Sequence, residues 1–146
     1  MDYQEKNVPF GLTYLYASKE GVYQRINQYL YQIIVLENEE LIELLKKIIT
    51  KELKNFLFLG RILKSKKIYP IFANNKKYWN AYDLYYDMDE KTILEIDLEQ
   101  KKKAIFNYQI FLSNTKEEPL KEQFQTILEE EYKELEELTK FYKKKY

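Results

Sequence analysis

Histidine and cysteine are both missing from this sequence. Without cysteine there are no disulfides, thiolate metal sites or cysteine nucleophiles. Without histidine the chain lacks the commonest general base near neutral pH and the commonest transition-metal ligand, so most familiar enzyme sites are excluded. Glycine and proline are scarce, three of each in 146 residues, which favours long helices over a many-turned β fold. No stretch approaches the roughly 20 apolar residues needed to span a bilayer. The segment Met1 to Phe10 carries Asp2, Glu5 and Lys6 with no apolar run behind them, so no signal peptide is expected, and a cytoplasmic location is the simplest reading.

What is present points to one compact domain over residues 1–146. Apolar residues make up 45% and charged residues 33%, enough apolar content to build a core at this length. The 24 basic side chains equal the 24 acidic ones, which argues against a general affinity for nucleic acid or an anionic membrane. The runs Lys101 to Lys103 and Lys143 to Lys145 have acidic neighbours and read as solvated faces. The many Lys, Ile, Tyr and Asn residues suggest an AT-rich genome, which accounts for 15 tyrosines without a functional appeal.

Hydrophobic spacing predicts four helices. From about Lys19 to Leu36, Val22, Ile26, Tyr29, Ile33 and Leu36 fall at alternating steps of four and three. Asn38 can cap a second helix that runs to about Lys64, with Glu39 and Glu40 in its first turn. A third begins near Glu90 after an Asp89 cap and ends near Ser113. A fourth starts at Glu117 to Pro119, with Thr115 as candidate cap, and runs to the C-terminus. The short links near Asn38 and around Asn114 to Lys116 predict two antiparallel hairpins, and residues 65–89 are long enough for a crossover along a helix. The aromatic run Tyr78, Trp79, Tyr82, Tyr85 and Tyr86 is expected to lie against the helices.

Polar residues interrupt three of the four stripes. The second helix reads Leu41, Leu45, Ile48, Glu52, Asn55, Leu59, Ile62. The third reads Leu94, Leu98, Lys101, Ile105, Tyr108, Leu112, and the fourth Leu120, Phe124, Ile127, Glu131, Glu134, Leu138, Phe141. Apolar neighbours one turn to either side place the five polar groups inward near mid-height. Buried charges need partners or must become neutral.

The segments YASKEGVYQRINQYLYQ, ITKELKNFLFLGRILKSKKIYPIF, KKYWNAY, DLEQKKKAIFNY and ILEEEYKELEEL together resemble the ferritin-like carboxylate proteins, in their bacterial rubrerythrin and manganese-catalase-like branch. That resemblance implies an all-α four-helix bundle of two hairpins with one long crossover. It also implies two metals held by one Glu on each of two helices and a Glu-x-x-His pair on each of the others. Carried over, the first-helix Glu falls on Val22, the second-helix pair on Glu52 and Asn55, the third-helix Glu on Lys101 and the fourth-helix pair on Glu131 and Glu134. Only Glu52 and Glu131 keep the expected kind.

The expectation is therefore a vestigial, metal-free site in a pseudoenzyme. Lys101 would supply charge that metal once supplied, bonded to Glu52, Glu131 and Glu134 with Asn55 at the edge. No catalytic residue and no cofactor are expected, and a structural or protein-interaction role follows, with a homo-oligomer, such as a dimer through bundle faces, as one form of it. Two alternatives remain open: a single oxygen-ligated divalent cation at Glu52, Glu131 and Glu134, or a metal-free redox protein using Tyr29, Tyr108 or Tyr132.

Overall fold

The computed structural model describes residues 11–146, so the expectation about a signal peptide at residues 1–10 lies outside the described residues. The chain divides into two compact units, one reaching to Tyr86 and the other spanning Asp87–Tyr146. Each is built around a helix hairpin.

The first unit holds α1 (Leu12–Ala17), α2 (Val22–Val35) and α3 (Glu39–Ser65). Asn38 caps α3 by accepting from the Leu41 amide, and Glu39 and Glu40 occupy the first turn, where the helix dipole favours anions. A four-three spacing buries Leu41, Leu45, Ile48, Glu52, Asn55 and Leu59, as the sequence spacing predicts, and the last member shifts from Ile62 to Leu63. The end of α3 is a Schellman motif. Lys67 takes a left-handed φ of 61°, its amide donates to the Lys64 carbonyl, and the Ile68 amide reaches back to Leu63.

The first helix starts at Val22 rather than Lys19, because α1 precedes it and turns through residues 18–21. Gly21 permits that turn by its size: a Cβ there would lie 2.9 Å from the Tyr14 and Leu15 carbonyl oxygens. Tyr16 of α1 is the hub of this end of the unit. Its ring stacks on Phe56 at 4.7 Å and lies against Gly60, and its hydroxyl donates to the Pro70 carbonyl at 2.7 Å.

After α3 the chain forms a two-stranded hairpin, β1 (Ala73–Asn74) and β2 (Lys77–Tyr78), paired Ala73 to Tyr78 and Asn74 to Lys77. The two-residue turn places Asn75 and Lys76 at φ 48° and 64°, the twist that suits a tight hairpin. Two buried glutamines of α2 then grip the chain. Gln24 donates to the Asp83 carbonyl and accepts from the Trp79 indole; Gln28 donates to the Tyr85 carbonyl and accepts from the Tyr85 amide. Trp79 also packs edge-on against Tyr23, and Tyr86 against Tyr31. The expectation for the aromatic run is corrected in part: Tyr78 and Tyr82 are 69% and 92% exposed, because the hairpin and the turn at Ala81–Asp83 carry them outward.

The second unit is the antiparallel hairpin of α4 (Glu90–Asn114) and α5 (Glu118–Lys145). Asp89 caps α4 by accepting from both the amide and the hydroxyl of Thr92, and these bonds hold its carboxyl below the usual range. Thr115 does not cap α5. It ends α4 instead, its amide donating to the Phe111 carbonyl, and Glu117 stands at the N-cap of α5 without a side-chain bond. The hairpin is pinned at both ends, by Phe124 against Phe111 and Tyr108, and by Lys145 and Tyr146 on Glu90. No helix among the described residues is long and apolar enough to cross a membrane.

Candidate functional site

The polar residues that interrupt the stripes are buried, all five of them: Glu52, Asn55, Lys101, Glu131 and Glu134. Helix periodicity does this directly. Glu131 and Glu134 are three residues apart between Ile127 and Leu138, so burying that apolar face carries both carboxylates in with it.

In the second unit, Lys101 Nζ lies 2.7 Å from Glu131 Oε2 and 3.2 Å from Glu134 Oε2, with side-chain exposures of 0%, 0% and 2%. Asp97, one turn before Lys101 on α4, is equally buried. Sequence spacing alone did not single it out. Two readings of α4 share Leu94, Lys101 and Tyr108 and differ at the alternate positions; the predicted one chose Leu98 and Leu112, which are half-buried, whereas Asp97 and Phe111 take the inner face.

The same ambiguity hid the key residue of the first unit. On α2, Val22, Tyr29 and Leu36 are buried as expected, but Ile33 is half-buried and Gln32 takes its place, while Arg25 is buried beside Ile26. Arg25 Nε donates to Glu52 Oε2 at 3.1 Å and its Nη1 donates to the Glu20 carbonyl at 2.9 Å. Glu52 is thus half of a buried ion pair whose cation is a guanidinium from its own hairpin. Among the tyrosines proposed for redox chemistry, Tyr29 and Tyr108 are buried and Tyr132 is half-exposed, its hydroxyl accepting from the Gln109 side-chain amide at 2.5 Å.

No protein-family profile matches the sequence, and no curated protein matches it. Solved structures do. A crystal structure of wild-type KatB, a manganese catalase from Anabaena, superposes with a TM-score of 0.81 at 16% identity, covering 96% of this chain and 76% of that one. A second crystal structure of KatB gives the same figures. This chain has the ferritin-like four-helix-bundle fold. The all-α topology of two helix hairpins with a long connection between α3 and α4 is the one expected from the sequence.

The ferritin-like fold implies a metal pair, and the residues at the positions carried over do not fit one. Val22 offers no donor atom. Lys101, protonated, has three N–H donors and no lone pair, and it takes up an oxygen of each of the two fourth-helix carboxylates. Arg25 takes up an oxygen of Glu52. The ferritin-like ligand set also calls for two imidazoles, and the sequence has no histidine at all.

Proposed function

We propose that this chain is a ferritin-like protein that works without a di-metal centre, in a structural or protein-binding role. The observation that carries this reading is the buried ammonium of Lys101 on Glu131 and Glu134. A divalent ion about 4 Å from that ammonium would be repelled by about 8 kcal/mol at an effective dielectric of about 20, and it would have to compete with the ammonium for both carboxylates. Arg25 on Glu52 supports the same reading independently, since in each unit a protein cation meets the carboxylate that the resemblance assigns to metal.

The structural relatives are manganese catalases, and the corresponding activity here would require manganese held by residues this chain lacks. The proposal therefore expects no dioxygen release from hydrogen peroxide by the purified chain supplied with Mn²⁺, at concentrations where a manganese catalase is active. Sustained release that scales with bound manganese would overturn it. The structural role is tested by size-exclusion chromatography with light scattering, where the proposal expects self-association or a stable complex rather than a lone monomer.

A further inference from the structure

The zero net charge of this chain conceals an uneven distribution. From Asn55 to Tyr82 there are six basic residues, Arg61, Lys64, Lys66, Lys67, Lys76 and Lys77, and no acidic one. Removing those six from the 24 basic residues leaves 18 against 24 acids in the rest of the sequence. All six are exposed.

The fold gathers them at one end of the first unit. Arg61 and Lys64 lie on the last turns of α3, Lys66 and Lys67 form its cap, and Lys76 and Lys77 form the tip of the β-hairpin. Tyr16 ties these pieces together, touching Gly60, Phe56 and Phe72 while holding the Pro70 carbonyl, and Thr13 on the same helix bonds Asn74 of the hairpin. The exposed acids of α3, Glu39, Glu40 and Glu43, lie at its other end, and Glu52 in the middle is buried on Arg25. Glu43 and Lys64 are 21 residues apart on one helix, roughly 30 Å at about 1.5 Å per residue, about four times the screening length at physiological salt. They cannot neutralise this surface.

Exposed aromatic rings are interleaved with the cations: Tyr69, Phe72 and Tyr78 are 39%, 45% and 69% exposed. Conformation adds an independent sign. Lys67 and Lys76 hold left-handed φ values of 61° and 64°, where glycine is the easy choice, so lysine stands at two positions that disfavour any ordinary side chain.

We propose that this end of the first unit binds single-stranded nucleic acid, with the six cations tracking phosphates and the rings of Tyr78 and Tyr69 offering surfaces for bases, while Phe72, stacked on Tyr23 at 4.4 Å, holds the hairpin in place. Cation–aromatic surfaces of this kind bind single strands with little sequence preference. A sequence-tolerant, salt-sensitive affinity is expected, with a dissociation constant in the micromolar range.

The test is fluorescence anisotropy of a labelled oligothymidylate of about 20 nucleotides with the full chain. If about four phosphates are neutralised, affinity should fall on the order of 50-fold between 50 and 200 mM salt, from a slope of about −0.7 per contact. Lys66→Glu with Lys67→Glu, and separately Lys76→Glu with Lys77→Glu, should each weaken binding at least tenfold, and Tyr78→Ala about fivefold or more. Lys143→Glu with Lys144→Glu, in the acid-rich α5, should leave binding unchanged. Circular dichroism reports whether each variant is folded. The proposal is overturned if the wild-type chain does not bind at 50 mM salt, if the hairpin and cap variants bind like wild type, or if Lys143→Glu with Lys144→Glu weakens binding equally. Binding to phosphatidylcholine–phosphatidylglycerol vesicles that is tighter than to the oligonucleotide would assign the surface to membranes and overturn it as well.

Discussion

The two helix hairpins bury charge in different proportions. In the first, one guanidinium meets one carboxylate, Arg25 on Glu52, and the guanidinium also has the Glu20 carbonyl. In the second, Lys101 meets Glu131 and Glu134, and Asp97 is buried one turn away, so three carboxylates share a hairpin with a single buried cation. A matched pair loses heavily when either partner is removed, because the other is left charged out of water; an outnumbered cation makes its carboxylates unequal in value. The comparison teaches where each hairpin should be fragile.

The largest effect is expected from Lys101. Replacing it with Met takes the ammonium from the buried Glu131 and Glu134 and should cost about 3 to 5 kcal/mol in chemical denaturation; a loss below about 0.5 kcal/mol would contradict its buried, paired state. The next prediction separates the hairpins. Glu52→Gln should cost a similar amount, since it takes the carboxylate away from the buried Arg25, whereas Glu134→Gln removes one of two carboxylates on a single ammonium and should fall within about 1 kcal/mol of wild type. Equal losses for the two would erase the contrast. The double variant Arg25→Met with Glu52→Leu should recover most of what either single change loses, because a buried pair can be exchanged for packed apolar groups.

In the first unit, α1 carries a pH effect. Burial is the main cause that pushes the hydroxyls of Tyr14 and Tyr16 up to about 12 from an ordinary 10, with the carboxylate of Glu20 adding to it for Tyr14. The folded chain therefore keeps protons that the unfolded chain gives up near 10. Their contribution to stability is complete below pH 10 and is lost as pH rises from 10 through 12. Thermal melts across that range should show a downward slope, and Tyr16→Phe should flatten it. A pH-independent melting temperature up to pH 12 would mean these hydroxyls ionise as freely folded as unfolded.

Smaller gains should come from two sites of local conflict. Gln32 is fully buried on α2, and its amide makes no hydrogen bond among the described residues. Gln32→Leu should stabilise by about 1 to 2 kcal/mol, read as a shift of the denaturation midpoint. Lys67→Gly should add up to about 1 kcal/mol by relieving a left-handed lysine at the end of α3. That same substitution removes one of the cations grouped around Tyr16, so it separates conformational ease from charge at a single position.

The polar interruptions in α3 and α5 were legible because apolar residues bracket them on one unambiguous stripe, and Glu52, Asn55, Glu131 and Glu134 are buried as that spacing requires. Arg25, Gln32 and Asp97 were not, for a shared reason. A helical face admits two alternations of threes and fours through the same anchor residues, and in α2 and α4 the alternates Ile26, Ile33, Leu98 and Leu112 are apolar, so hydrophobicity favours the phase that bypasses the polar inner residues. The missed Arg25 is why Glu52 looked like a partner for Lys101 alone. The basic end of the first unit is invisible in the composition for a simpler reason: a net charge sums over the chain and says nothing of where its members lie.

The central claim is that protein cations occupy the role that metals hold elsewhere in this fold. The measurement that addresses it most directly is elemental mass spectrometry of the chain purified without chelators from cells supplied with manganese and iron. The account predicts well below one bound transition-metal ion per chain, unchanged by added Mn²⁺ after desalting. About two manganese or iron ions per chain would contradict it.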